Sequence, residues 1–167
     1  MTTIVVDREM GYMAADRRST SNDCDVAIEC SKIRKIELSD GIHLMACAGM
    51  ESSAQIFENW YAHGDWDEQL QTMENTEPED DFTAVILTPD YEIWLADKFL
   101  CPYQVYANVP HGKRRKRWYC AGSGGSFAWA VLWAGCGIEN AMETAMAMDP
   151  SSGYGYDIEY LADSSYG

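Results

Sequence analysis

TTIVVDREMGYMAAD spans residues 2–16, and the fold turns on how it is read. Its apolar residues fall into two short runs, Thr3 to Arg8 and Met10 to Asp16, joined by a tight turn around Glu9 to Gly11. Runs this short on either side of a glycine-containing turn predict a β-hairpin. The pattern returns twice. Ile33 to Leu38 and Ile42 to Ala48 flank Ser39-Asp40-Gly41, and Phe82 to Leu87 and Tyr91 to Ala96 flank Thr88-Pro89-Asp90. Further strand signals cover Gln104 to Ala107, Arg117 to Ala121 and roughly Tyr154 to Ala162.

Helical spacing occupies the intervals. Ser52 or Ser53 is expected to cap a helix whose apolar face carries Ile56, Phe57, Trp60 and Tyr61. Gly122-Ser123-Gly124-Gly125 breaks a strand, and Ser126 then opens an apolar helical stretch interrupted by Gly135 and Gly137. A second helix, Ile138 to Met148, places Ala141, Met142, Ala145 and Met148 on one face. Antiparallel hairpins with helices segregated between them predict an α+β layered sandwich. The Met and Trp residues at helical spacing are assigned to its core, not to a cofactor site.

Composition narrows the function classes. At 167 residues, 47% hydrophobic and 23% charged, the chain suits one globular domain with a sizeable core. A net charge of −15 disfavours nucleic acid, whose phosphates need basic surface. Five of the twelve basic residues form one run, Lys113 to Arg117. It reads first as a solvated loop and strand start, second as a contact for an acidic partner such as another subunit, and third as a nucleic-acid patch. Gly64 to Asp81 carries eight acids and reads as an exposed loop or a frayed helix end.

No stretch approaches the ~20 apolar residues of a membrane span. The N-terminus lacks the basic-then-apolar pattern of a secretory signal, so a cytoplasmic protein is expected. The six cysteines form no CxxC pair and no cluster with the three histidines. They are expected to be reduced, half-buried thiols, with neither a metal nor a cofactor.

Several residues could carry chemistry. If Met1 is excised, Thr2 becomes the N-terminus, and its α-amine, with a pKa of about 7.7–8.0, supplies a base beside its own weak hydroxyl nucleophile. By itself Thr2 is equally a strand start. Asp16 and Lys32 stand at strand ends, where a partly buried lysine would need a carboxylate partner or a depressed pKa. The turn around Ser123 and the stretch Asp149 to Gly153 could both be ordinary capping turns.

Six elements in order give these residues a common frame. They are TTIVV (residues 2–6), AADRRST (14–20), SKIRKI (31–36), ACAGM (46–50), AGSGG (121–125) and DPSSG (149–153). Together they resemble the proteasome β-subunit family, with HslV as its compact bacterial relative, over nearly the whole chain. The compactness is similar to HslV, whereas AD-x-R-S-T and D-x-x-S-G are similar to proteasomal elements. The interval from Thr2 to Asp16 is shorter than usual, as a trimmed hairpin turn would make it. Pro150 is unusual within its element.

The resemblance implies an N-terminal-nucleophile hydrolase with a four-layer αββα sandwich. It implies Thr2 as nucleophile, Lys32 and the Thr2 α-amine as proton acceptors, and Asp16 as the partner that orients Lys32. The Gly49 N–H would meet the oxyanion, and Ser123, Asp149 and Ser152 would hold the α-amine and a water. Ser19 and Thr20 would line the cleft, with Ser19, Cys30 and Cys47 facing a specificity pocket. The expected activity is a threonine peptidase acting on polypeptides within self-assembled rings of six or seven subunits, single or stacked. With no P-loop in the chain, unfolding of substrates would fall to a separate ATP-driven partner. The alternatives are a catalytically silent assembly subunit that retains Met1, and a small-molecule amidase.

Overall fold

The computed structural model describes residues 2–20, 27–49, 51–64, 82–97, 103–105 and 117–162. The opening stretch forms the expected hairpin. β1 (Ile4–Asp7) and β2 (Tyr12–Asp16) pair antiparallel, with Ile4 opposite Ala15 and Asp7 opposite Tyr12. Gly11 takes a left-handed φ of 67° and donates its N–H to the Asp7 carbonyl at 2.9 Å, which closes the turn.

Every residue of β1 and β2 is buried. Alternation therefore sends Ile4, Val6, Met13 and Ala15 into one core, and Val5 and Ala14 into another on the opposite face. β10 (Trp118–Ala121) and β11 (Tyr156–Tyr160) flank the hairpin, giving an antiparallel sheet in the order β10-β1-β2-β11.

A second antiparallel sheet runs in the order β5-β6-β7-β8-β9. Its strands are β5 (Ile33–Leu38), β6 (Gly41–Gly49), β7 (Phe82–Leu87), β8 (Ile93–Asp97) and β9 (Tyr103–Val105). The central core joins the two sheets, with Ile4, Val6 and Met13 from one packed in the same cluster as Leu44, Val85 and Leu87 from the other. A second cluster lies under helix α1 (Glu51–His63), where Phe57 and Trp60 meet Met45, Phe82 and Ile86. A third lies under helices α2 (Gly125–Trp133) and α3 (Ile138–Met148), where Ala128, Leu132 and Met142 meet Val5 and Ala14.

Some expectations need correction. α1 begins at Glu51, so Ser52 and Ser53 sit inside its first turn and neither is the cap. Met148 is not on the buried face of α3 but 58% exposed at its end. Tyr91 is not a strand residue. It adopts φ 61° in the turn that links the Thr88 N–H to the Glu92 carbonyl at 2.9 Å. A two-stranded ribbon, β3 (Arg18–Thr20) with β4 (Ala27–Glu29), was not anticipated. Its strands are three residues each and partly charged, too short to show a period.

The acidic stretch after Gly64 and the run Lys113 to Lys116 lie outside the described residues, as do Ala107 and the cysteines Cys24 and Cys101. Among the described residues, Cys30, Cys47, Cys120 and Cys136 are free thiols, and no group of three His, Cys, Asp or Glu side chains could hold a metal ion. No described helix is long and apolar enough to cross a membrane.

Candidate active site

The pairing of β1 with β2 carries Thr3 and Asp16 to the same end of the sheet. There Asp16 donates its N–H to the Thr3 carbonyl at 3.2 Å, and the Thr3 N–H returns to Asp16 Oδ1 at 2.8 Å. Asp16 is 0% exposed. A buried carboxylate is tolerated only when its lone pairs are met. Lys32 Nζ donates to Oδ1 at 2.9 Å, and the N–H groups of Arg18 and Gly153 both reach Oδ2 at 3.1 Å. Four donors, one of them charged, hold the group in place.

Lys32 lies just before β5, in the other sheet, and its stem crosses to this end of the hairpin. Its side chain is 10% exposed. The same Nζ that meets Asp16 also contacts Thr2 Oγ1 at 2.9 Å. Thr2 is itself 5% exposed. Thr2, Lys32 and Asp16 therefore form one hydrogen-bonded line.

A second carboxylate stands behind them. Asp149 Oδ2 accepts the hydroxyls of Ser123 and Ser152, each at 2.6 Å, and Oδ1 accepts the Ser151 N–H at 3.1 Å. The Ser152 proton is committed to Asp149, so in its 2.7 Å contact with Thr3 Oγ1 the Thr3 hydroxyl is the donor. Burial pushes the Asp149 carboxyl up, but its three donors outweigh that and hold it below the usual aspartate range. Pro150 suits this geometry. Asp149 is extended, at φ −99° and ψ 111°, as the residue before a proline prefers. The Pro150 carbonyl in turn accepts Arg18 Nη1 at 2.7 Å.

Close approach explains the glycine turn. A Cβ at Gly122 would lie 1.7 Å from the Thr2 carbonyl oxygen, and one at Gly124 would lie 1.9 Å from Thr3 Oγ1. Gly122 also has φ 81°. Only glycine lets this turn lie against the start of β1. Gly49, at φ 111°, ends β6 and joins Thr2 and Ser123 in lining a hollow of about 370 Å³. Ala48, Phe82 and Tyr119 contribute to the same hollow.

All seven residues expected to take part in catalysis thus lie in one connected region. Ser19 and Thr20 lie on β3, opposite Ile28 and Ala27, and Cys30 follows β4 with its N–H on the Arg17 carbonyl at 2.8 Å. None of the three lines the hollow. Cys47 packs in the cluster under α1, where burial pushes its thiol up. Thr3 was not singled out from sequence, although it contacts both Asp16 and Ser152. The doubled Thr2-Thr3 is the one signal that could have drawn attention to it.

No protein-family model and no curated protein matches the sequence. Solved structures do. Eukaryotic HslV from Trypanosoma brucei aligns with a TM-score of 0.63 at 20% identity, over 95% of this chain and 98% of that one. BPH from Thiobacillus denitrificans, in complex with epoxomicin, aligns with a TM-score of 0.65 at 14% identity, over 96% and 100% of the two chains. Anbu, described as an ancestral beta-subunit, from Yersinia bercovieri aligns with a TM-score of 0.68 at 9% identity, over 96% and 82%. These likenesses show a shared fold.

Proposed function

We propose that the chain is a single-domain N-terminal-nucleophile hydrolase of the proteasome β/HslV kind, built as a four-layer αββα sandwich, and that it cleaves peptide bonds through Thr2. The observation that carries this reading is the position of Lys32 Nζ, 2.9 Å from both Thr2 Oγ1 and Asp16 Oδ1. A hydroxyl nucleophile needs a base within hydrogen-bond reach, and the base needs a group that orients it.

In the forward reaction Thr2 Oγ adds to the scissile carbonyl carbon. Its proton passes to an amine lone pair, that of Lys32 or of the Thr2 α-amine freed by removal of Met1. The carbonyl oxygen becomes an oxyanion facing the Gly49 N–H, a kind of donor worth roughly 10²–10³ in rate. The C–N bond then breaks, and the departing nitrogen takes the proton and leaves as an amine. Water hydrolyses the threonyl ester in a second, equivalent addition. Asp149, with Ser123 and Ser152, holds the hydroxyls around the start of β1, while β3 offers Ser19 and Thr20 to an extended peptide as an added strand.

Self-assembly into rings, of six or seven subunits as the resemblance implies, belongs to the same reading. It also fits α2, which carries no charged residue and exposes Trp129 and Trp133 as a parallel stacked pair. The deciding experiment compares peptide hydrolysis by the chain that begins at Thr2 with its Thr2→Ala variant. Loss of turnover in the variant is expected, and undiminished turnover would overturn the proposal.

A further inference from the structure

The hollow beside Thr2 has two walls. Ala48, Phe82 and Thr83 come from the ends of β6 and β7, and Tyr119, Ala121 and Ser123 come from β10 and the glycine turn. It is the open end of the inter-sheet core, since Ala48, Tyr119 and Ala121 also pack against that core. Among the described residues, no side chain that lines it carries a formal charge, in a chain with 27 acidic and 12 basic residues. Its volume, about 370 Å³, is near the lower end for ligand pockets and suits one large residue rather than a long peptide.

Neither β3 nor Lys32 contributes to the lining of this hollow. The two substituents of a carbonyl under attack diverge from the tetrahedral carbon. If the acyl side of a substrate runs along β3, the hollow offers the nitrogen side space that β3 does not line. Ser123, whose hydroxyl is fixed on Asp149, stands in that wall.

We propose that the hollow is the subsite for the leaving-group side of the scissile bond, and that it selects an uncharged, apolar residue there. This rests on the peptidase reading and adds a specificity to it. When the C–N bond breaks, the amine is released from the hollow with the proton first taken from Thr2 Oγ. The same path works in reverse. A free amine in the hollow can attack the threonyl ester, lose a proton to the base and restore Thr2 Oγ–H, in competition with water.

That competition supplies the test. The chain beginning at Thr2 is acylated with a peptide ester, and glycinamide, leucinamide, lysinamide and aspartic acid amide are added in turn. Mass spectrometry then reads the ratio of aminolysis to hydrolysis. Leucinamide is expected to exceed lysinamide and aspartic acid amide by about tenfold, the discrimination an apolar pocket provides. Thr83→Trp should lower the leucinamide-to-glycinamide ratio, and Thr83→Glu should raise lysinamide relative to leucinamide.

Equal partitioning among the amines in the unaltered protein would overturn the inference even if neither variant folded. Ratios unchanged in folded Thr83 variants would overturn it too. Absence of any acyl-enzyme would overturn the peptidase reading together with the inference, whereas an acyl-enzyme indifferent to the amine would overturn the inference alone.

Discussion

Asp7 and Asp16 sit at opposite ends of the same hairpin, and each is fully buried. Each faces one cation and a set of N–H donors. At the Asp7 end the cation is Arg117, whose Nε reaches both carboxylate oxygens at 3.0 and 2.8 Å and whose Nη2 lies 2.7 Å from Oδ2. Trp118 Nε1 and the N–H groups of Glu9 and Met10 also donate to it, and the Tyr12 hydroxyl hydrogen-bonds to it as well. Burial, with the Asp7 charge next, pushes the neighbouring Tyr12 phenol up. A guanidinium stays charged and a phenol held protonated transfers nothing, so this end is a clamp that joins β10 to the hairpin.

At the Asp16 end the cation is a lysine. One donor goes to the carboxylate, and a further contact goes to the Thr2 hydroxyl. An amine, unlike a guanidinium, can give up its proton and act as a base. The same buried carboxylate therefore serves structure at one end and chemistry at the other, and the identity of the cation decides which.

Exchanging the cations should sharpen that contrast. Lys32→Arg keeps a positive charge beside Asp16 but removes the base, so peptide hydrolysis should fall by roughly 10²–10⁴-fold, read as kcat/KM on a folded variant. Asp7→Ala should destabilise by about 2–3 kcal/mol in urea unfolding. That is somewhat less than for a fully buried pair, because the Arg117 side chain is 30% exposed and can turn to water. The residual folded protein should keep its activity. Gly124→Ala would force Thr3 aside, and roughly 1–3 kcal/mol of stability should be lost together with turnover, since Thr3 holds Asp16. Arg117→Lys should cost only about 1 kcal/mol, the loss of bidentate geometry, with hydrolysis unchanged.

The smallest effect concerns acid. Asp149 titrates lower in the folded chain than its ordinary value, so it binds its proton less readily when folded. Its contribution to stability is present above an ordinary aspartate pKa of about 3.9 and fades as pH falls through the lower folded value. Asp157, held low by its hydrogen bond from Arg17, adds a slope of the same sign. Urea midpoints between pH 5 and pH 3 should therefore drop less steeply for Asp149→Asn than for the unaltered chain.

Local pattern made part of this legible. The three hairpins, the helix over Ile56 to Tyr61 and the break at Gly122 to Gly125 all follow from neighbours in sequence. So do the candidates at Thr2, Asp16 and Lys32, once six short elements are taken in order. The Asp7–Arg117 clamp was not legible, because 110 residues separate its members and nothing nearby marks Asp7 as more than a strand end. The ribbon of β3 and β4 was missed because three residues cannot show alternation. The hollow escaped notice for a different reason. Ala48, Phe82, Tyr119 and Ala121 lie on strands of two different sheets, and no local pattern in the sequence joins them around one space.

The most direct test of Thr2 is its reaction with a peptidyl epoxyketone, followed by intact mass. In such a probe a hydroxyl adds to the ketone and an amine opens the epoxide, so a ring forms only where one residue supplies both groups. The chain that begins at Thr2 should gain one probe mass, mapped to residue 2, and the chain that retains Met1 should gain none. Failure of the Thr2 chain to react, or an adduct mapped to any other residue, would contradict the assignment of Thr2 as nucleophile.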